Sequence, residues 1–210
     1  MKGTVRKSEE VPTLAEAEKI LHVPKEEAEN LMIVDLVRHD LHGICGAGQV
    51  SVPHLLKVEE YQSVFQMITV VEGQLPRPDE SKTSSERTRY TGLDVLAASL
   101  PPGSMTGAPK KRSCELLQEI ERGQERSLYS GVVGYMCVTG RGDWSVTIRS
   151  FFRWDDDEQV VVGEGGEEER NETWHIGAGG AVTILSTPEG EREEMFTKLA
   201  GPLRCFADSG

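Results

Sequence analysis

The sequence predicts an α/β (α+β) fold. Three observations carry this. Segments with helical apolar spacing alternate with short β-branched runs. No internal repeat interrupts the alternation. The 210 residues are 37% hydrophobic with 22 glycines, enough to bury a core without disulfide or metal staples.

Residues 12–22 predict a short helix that stops before Pro24, and Pro24 can open the next helix. That second helix is expected to reach about His42, with Leu31, Met32, Val34, Leu36 and Val37 as its apolar stripe. Gly43 to Gly48 reads as a turn, Val50 to Val52 as a short strand and Tyr61 to Glu72 as a longer one. The polar stretch 76–91 reads as a flexible surface insertion. A helix at 92–100, a loop at 101–109 and a helix from Lys110 to Glu121 follow. Residues 129–152 predict a β-hairpin: Val132, Val133, Tyr135 and Val138 form one arm, Trp144, Val146, Ile148 and Phe152 the other. Its turn, Gly140 to Asp143, contains Arg-Gly-Asp, which a glycine-rich turn explains better than cell adhesion. Residues 155–172 form a second insertion, with Val160 to Val162 as a strand inside it. A strand is expected from Ala181 to Leu185. Ser186 and Glu189 then make a capping-box signature for a last helix, ending near Gly201-Pro202 or continuing kinked to Phe206.

Charge and cysteine content narrow the function. The net charge is −12, which argues against a nucleic-acid groove. Nine acidic residues against one arginine in 155–172 supply most of it, so the charge says little against an anionic small substrate elsewhere. No apolar run approaches the roughly 18 residues of a membrane span, and no secretory signal opens the chain. The four cysteines, Cys45, Cys114, Cys137 and Cys205, lack metal-ligand spacing. They read as reduced core thiols of a cytoplasmic protein.

Several side chains stand in chemically suggestive places. Glu191, Glu194 and Lys198 share one face of the last helix, beside Met195 and Leu199. Carboxylates on a half-buried face need a cation, and a hard divalent ion is one solution; a solvated face with a Glu194–Lys198 pair is the other. Glu29 falls in line with Met32, Ile33 and Leu36. It either favours the dipole of a first turn or is a buried charge that needs a partner. Alternation puts Arg149 opposite Val146 and Ile148, where it either meets a carboxylate or faces solvent. The turns Gly103 to Gly107 and Gly177 to Gly180 match no Walker or Rossmann spacing.

In this order, the segments resemble one family. They are Met1-Lys-Gly-Thr4, Glu29-Asn-Leu-Met-Ile-Val-Asp-Leu-Val-Arg-His-Asp40, Pro102-Gly-Ser-Met-Thr-Gly-Ala-Pro-Lys110, Ser130-Gly-Val-Val-Gly-Tyr135, Thr147-Ile-Arg149, Ala178-Gly-Gly180 and Ser186-Thr-Pro-Glu-Gly-Glu-Arg-Glu-Glu194 with Lys198. The chain is similar to the chorismate-utilising enzymes over nearly its whole length. That family's fold has antiparallel sheets flanked by helices, and residues 1–210 correspond to its C-terminal catalytic portion. The resemblance implies a missing N-terminal half, and Met1 as an internal methionine of a longer protein.

The resemblance also implies roles. Lys2, Thr4 and Gln66 look catalytic. Thr106, Lys110, Arg149, Gly179, Gly180 and Lys198 look like contacts to chorismate. Glu29, Glu191 and Glu194 look like ligands of Mg²⁺. Lys2 is similar to the nucleophile of aminodeoxychorismate synthases, where anthranilate synthases carry alanine. Gln66 departs from a histidine common in the family and cannot serve as an acid. Ala181 replaces a glycine of the usual turn, and the arginine after Lys-Gly-Thr is displaced to Arg6 or Lys7. The implied reaction joins chorismate and ammonia to 4-amino-4-deoxychorismate, for p-aminobenzoate and folate. Ammonia would come from a glutamine amidotransferase domain or subunit. The alternatives are anthranilate synthase component I, or an inactive fragment that needs its other half.

Overall fold

The computed structural model describes residues 1–76, 90–162 and 168–206. The chain divides into two compact units, residues 1–117 with 136–142, and residues 118–135 with 143–210.

The first unit is built on a three-stranded antiparallel sheet. Its strands are β1 (Thr4–Arg6), β2 (Val50–Glu60) and β3 (Val64–Gly73), with β3 in the middle. Period-two burial on β3 puts Phe65 and Met67 inside, both fully buried. Two helices cover this part of the sheet: α1 (Leu14–Leu21) and α2 (Pro24–Cys45). Ala17 and Leu21 of α1 close the core with Phe65, Met67 and Val58. Truncating a ring packed as Phe65 is costs about 3–5 kcal/mol. Thr13 caps α1 in a reciprocal box with Glu16. Thr91 and Asp94 do the same for α3 (Gly92–Ser99). Two further helices, α4 (Gly103–Thr106) and α5 (Lys110–Ile120), follow. Gly103 of α4 lies so close to Leu36 that a Cβ would come within 3.0 Å of its side chain.

The second unit holds the hairpin β4 (Val132–Met136) and β5 (Gly142–Val146), whose tip groups with the first unit. Three pieces follow it: the pair β6 (Phe151–Phe152) with β9 (His175–Ile176), the hairpin β7 (Glu158–Val162) with β8 (Glu168–Glu172), and helix α6 (Pro188–Leu203). Phe151, Trp174 and Phe206 meet edge-on or tilted, with ring centroids 5.0–5.9 Å apart.

Several expectations are corrected. The strand expected at 50–52 runs on to Glu60, through Pro53. Proline is tolerated there because β2 is an edge strand. Bulges between Ser51 and His54 and between His54 and Lys57 let it bend. The longer strand starts at Val64, since 61–63 form the turn into it. The loop expected at 101–109 contains α4. The hairpin's second arm stops at Val146, and Phe152 pairs in a different sheet. Val138 lies in the turn, fully exposed. No strand forms at 181–185. Ser186 and Thr183 close that segment into a turn, with Val182 and Ile184 exposed. Helix α6 is capped by Thr187, whose hydroxyl accepts from Gly190 N–H; the cap lies one residue beyond the expected Ser186, and with glycine as its third residue the reciprocal box expected with Glu189 does not form. The helix runs through Pro202 into a 3₁₀ turn at Arg204–Phe206.

On α2 the apolar stripe is largely inverted. Leu31, Met32 and Val37 stay exposed, while Glu29, Asn30 and Val34 are buried. Of the four thiols, all free, Cys45 alone is buried; Cys137 and Cys205 are exposed. The expected insertion at 76–91 falls mostly outside the described residues. That at 155–172 contains β7 and β8.

Candidate active site

The first unit assembles one cluster around the Lys-Gly-Thr segment. Gly3 has φ +98°, and a Cβ there would press on Leu21 and Met67 at 3.3 Å. Only glycine takes both constraints without strain. The bend lets the chain lie on β3: Lys2 N–H donates to the Met67 carbonyl, and Met67 N–H to the Gly3 carbonyl. Thr4 stands opposite Gln66 in the ladder.

Gln66 is engaged at both ends. Its Nε2 donates to the Gly3 carbonyl at 2.6 Å, and its Oε1 accepts from the Thr4 hydroxyl at 2.8 Å. These partners fix the orientation of the amide. In this arrangement Gln66 and Thr4 tie β1 to β3 rather than point a free group outward.

Lys2 places its Nζ 2.5 Å from Oε2 of Glu29. Glu29 is 3% exposed and has Lys25 Nζ at 4.0 Å as well. Of the two readings of Glu29, a first-turn charge or a buried one with a partner, the structure has the second. The next residue, Asn30, is equally buried and donates from Nδ2 to the Lys2 carbonyl at 3.1 Å, while its Oδ1 accepts from Thr69 at 2.7 Å. Asn30 and Thr69 escaped the sequence reading. Asn30 lies inside the quoted motif, but only the fold shows that it faces Lys2.

The other expected residues of this unit are held locally. Thr106 turns its hydroxyl back to the Pro102 carbonyl at 3.2 Å. Lys110 donates to Asp40 at 2.8 Å and to the Ser99 carbonyl at 3.2 Å, clamping the start of α5 to α2 and the end of α3.

The second unit assembles another cluster around α6. Glu191 sits near the helix N-terminus, which favours its charge. It is 9% exposed, and its Oε1 accepts from the Ser186 hydroxyl at 2.8 Å. Lys198 pairs with Glu194 at 2.8 Å and donates to the Gly179 carbonyl at 3.0 Å. The helical face is thus turned inward. A Cβ on Gly180 would collide with the Glu191 carboxylate. Tyr129 packs where a Cβ on Gly177 would lie, and burial pushes its phenol pKa up. Arg149 is exposed, with φ +54°. The strand ends before it, so the alternation expected to set its direction does not apply.

Glu29, Glu191 and Glu194 are oxygen donors of the kind that Mg²⁺ takes, and two of them are buried. Individually they fit the group. Among the described residues, no set of three or more His, Cys, Asp or Glu side chains could hold a metal ion. No described helix is long and apolar enough to cross a membrane.

Three comparisons place the chain. It is 44% identical to aminodeoxychorismate synthase of Saccharomyces cerevisiae, over 98% of this chain and 24% of that protein. It is 34% identical to anthranilate synthase component 1 of Arthrobacter globiformis, over 92% of this chain and 31% of that one. An isochorismate synthase from Bacillus anthracis superposes with a TM-score of 0.67 at 25% identity, covering 98% of this chain and 47% of that structure. The chain thus spans between a quarter and a half of the length of these relatives. The chorismate binding enzyme family matches residues 1–204, and the chain belongs to it.

Proposed function

We propose that this chain carries the C-terminal catalytic portion of an aminodeoxychorismate synthase, which converts chorismate and ammonia to 4-amino-4-deoxychorismate and water on the route to p-aminobenzoate and folate. The observation that carries the reading is Lys2, held by its backbone on β3 with its amine on Glu29. The greater identity to an aminodeoxychorismate synthase than to an anthranilate synthase supports it.

In this reading the Lys2 amine attacks C2 of the chorismate ring, and the C4 hydroxyl leaves with a proton. Ammonia then forms the bond at C4, and the C2–lysine bond breaks. Attack requires a neutral amine, so Lys2 must part with the proton that Glu29 holds against it. Arg149 and the backbone N–H groups near Gly179 would hold a substrate carboxylate, and Thr106 and Lys198 would line the pocket. Mg²⁺ on the glutamate carboxylates would supply positive charge for a substrate carboxylate. Ammonia comes from a glutamine amidotransferase domain or subunit.

The test mixes the purified chain with chorismate, Mg²⁺ and ammonium and follows products by chromatography. Aminodeoxychorismate that disappears in Lys2→Ala supports the proposal. Anthranilate as product, unaffected by Lys2→Ala, overturns it in favour of the second enzyme. No turnover from the folded chain overturns the claim that this polypeptide is active by itself, and turnover restored by a segment completing the fold retains the residue assignments.

A further inference from the structure

We propose that Asn30 and Thr69 are positioning residues that hold the backbone of Lys2 and so set its amine against Glu29; the catalytic meaning of this rests on the reading of Lys2 as nucleophile. The geometry is a directional chain of hydrogen bonds. It begins at the β2 bulge between His54 and Lys57, where Leu56 has φ +52°. The irregularity turns Leu56 N–H onto the Thr69 hydroxyl oxygen at 3.0 Å. Having accepted there, Thr69 donates its proton to Asn30 Oδ1 at 2.7 Å. That contact fixes which end of the carboxamide faces Thr69. It leaves Nδ2 to donate to the Lys2 carbonyl at 3.1 Å.

Each link is needed for the next. Asn30 is 3% exposed, so water cannot readily replace either partner. A flipped amide would set Nδ2 on a hydroxyl already receiving Leu56 N–H, and Oδ1 on the Lys2 carbonyl. Such an acceptor–acceptor contact in a buried place is repulsive. The chain therefore orients one amide, and through it the carbonyl of Lys2, two residues before β1, which lies at the edge of its sheet among the described residues. Lys2 is gripped on its N–H by Met67 and on its carbonyl by Asn30. Its side chain reaches Glu29, adjacent to Asn30 on α2, through the amine.

The test reads Lys2 directly. Amine labelling with trinitrobenzenesulfonate, mapped by peptide mass, gives the Lys2 rate relative to the exposed Lys111 in the full chain. Thr69→Val keeps the shape and removes the hydroxyl, and Thr69→Ser restores it. Asn30→Asp keeps the acceptor for Thr69 but removes the donor to Lys2. Loss of one such buried bond is expected to raise Lys2 labelling about fivefold in Thr69→Val and Asn30→Asp, with Thr69→Ser returning to the wild-type rate. Equal labelling in all four proteins, folded by circular dichroism, overturns the proposal. If Thr69→Val loses its fold, Asn30→Asp decides by the same criterion. In the turnover assay, Thr69→Val should lower kcat with little change in KM, and Thr69→Ser should recover it; an unchanged kcat overturns the positioning role. A wild-type chain without turnover counts against the proposed function alone, because the labelling comparison stands apart from catalysis.

Discussion

The ammonium of Lys2 and the carboxylate of Glu29 meet at 2.5 Å, with the lysine side chain 21% exposed and the glutamate 3%. The pair is unequal. Glu29 has lost its water and depends on the cation, whereas Lys2 could regain solvent. Removing Lys2 therefore harms more than removing both.

Lys2→Ala is expected to destabilise the fold by about 2 kcal/mol, because it leaves a buried carboxylate with the more distant Lys25 at 4.0 Å in place of its close partner. The double variant Lys2→Ala/Glu29→Gln should recover most of that loss. Urea unfolding of the wild type, both single variants and the double variant measures the coupling. Strict additivity would show that the pair is energetically idle.

Two glycines should respond in opposite directions. Gly3→Ala meets a positive φ and close neighbours, so a loss of about 1–3 kcal/mol is expected. Gly43 lies in α2 with nothing near its missing Cβ. Gly43→Ala should therefore gain about 0.5–1 kcal/mol from helix propensity. Thermal unfolding of the two variants should move the midpoint down and up respectively.

At α6, neighbouring hydroxyls have separate tasks. Thr187→Ala removes the N-cap and should cost about 1 kcal/mol of stability. Ser186→Ala leaves the cap intact but takes a donor from the buried Glu191. Under the proposed function, its effect should appear in turnover as well as in stability. Comparing denaturation midpoints with turnover separates the two.

Cys137 should be the most reactive thiol of the chain. Hydrogen bonds from the Thr139 side chain and from its backbone N–H hold the thiol below its ordinary pKa, and it is exposed. More thiolate at neutral pH means faster attack on a disulfide reagent. Labelling with dithiobis-nitrobenzoate should find Cys137 ahead of Cys205, and Thr139→Val should slow it.

Burial holds the Tyr129 phenol above its ordinary pKa. The native state thus prefers the neutral form, and the unfolded chain loses this proton first. The associated stability is present below pH of about 10 and is lost as pH rises through the native pKa. Unfolding of the wild type and Tyr129→Phe between pH 8 and 11 should show the shallower decline in the phenylalanine variant.

Much of this was legible in the sequence because it depends on local pattern. Helices α1, α2, α3 and α5 stand close to where the sequence puts them, although the apolar stripe expected on α2 is largely inverted, and the burial of Glu29 is one of two readings the sequence leaves open. What depended on partners was not. Val182 and Ile184 alternate as a strand would, yet find no strand to pair with among the described residues. Ser186 and Thr187 are both good caps, and only the path of the chain chooses between them. Arg149 could not be aimed from alternation, because a positive φ ends the regular backbone there. Asn30 carried no signal of its own, since a carboxamide declares its role only through the two groups it joins.

Adjacent Glu29 and Asn30 reach the same lysine from one helix, one through its charge and the other through its backbone. A single residue inserted upstream in α2 would rotate both by about 100°, losing the ion pair and the carbonyl contact together. Point substitutions can test the two contacts separately, but a change in chain length cannot. The Glu-Asn dipeptide should therefore tolerate replacement far better than insertion or deletion, and the distance in sequence from Pro24 to Glu29 acts as a fixed ruler for the position of Lys2.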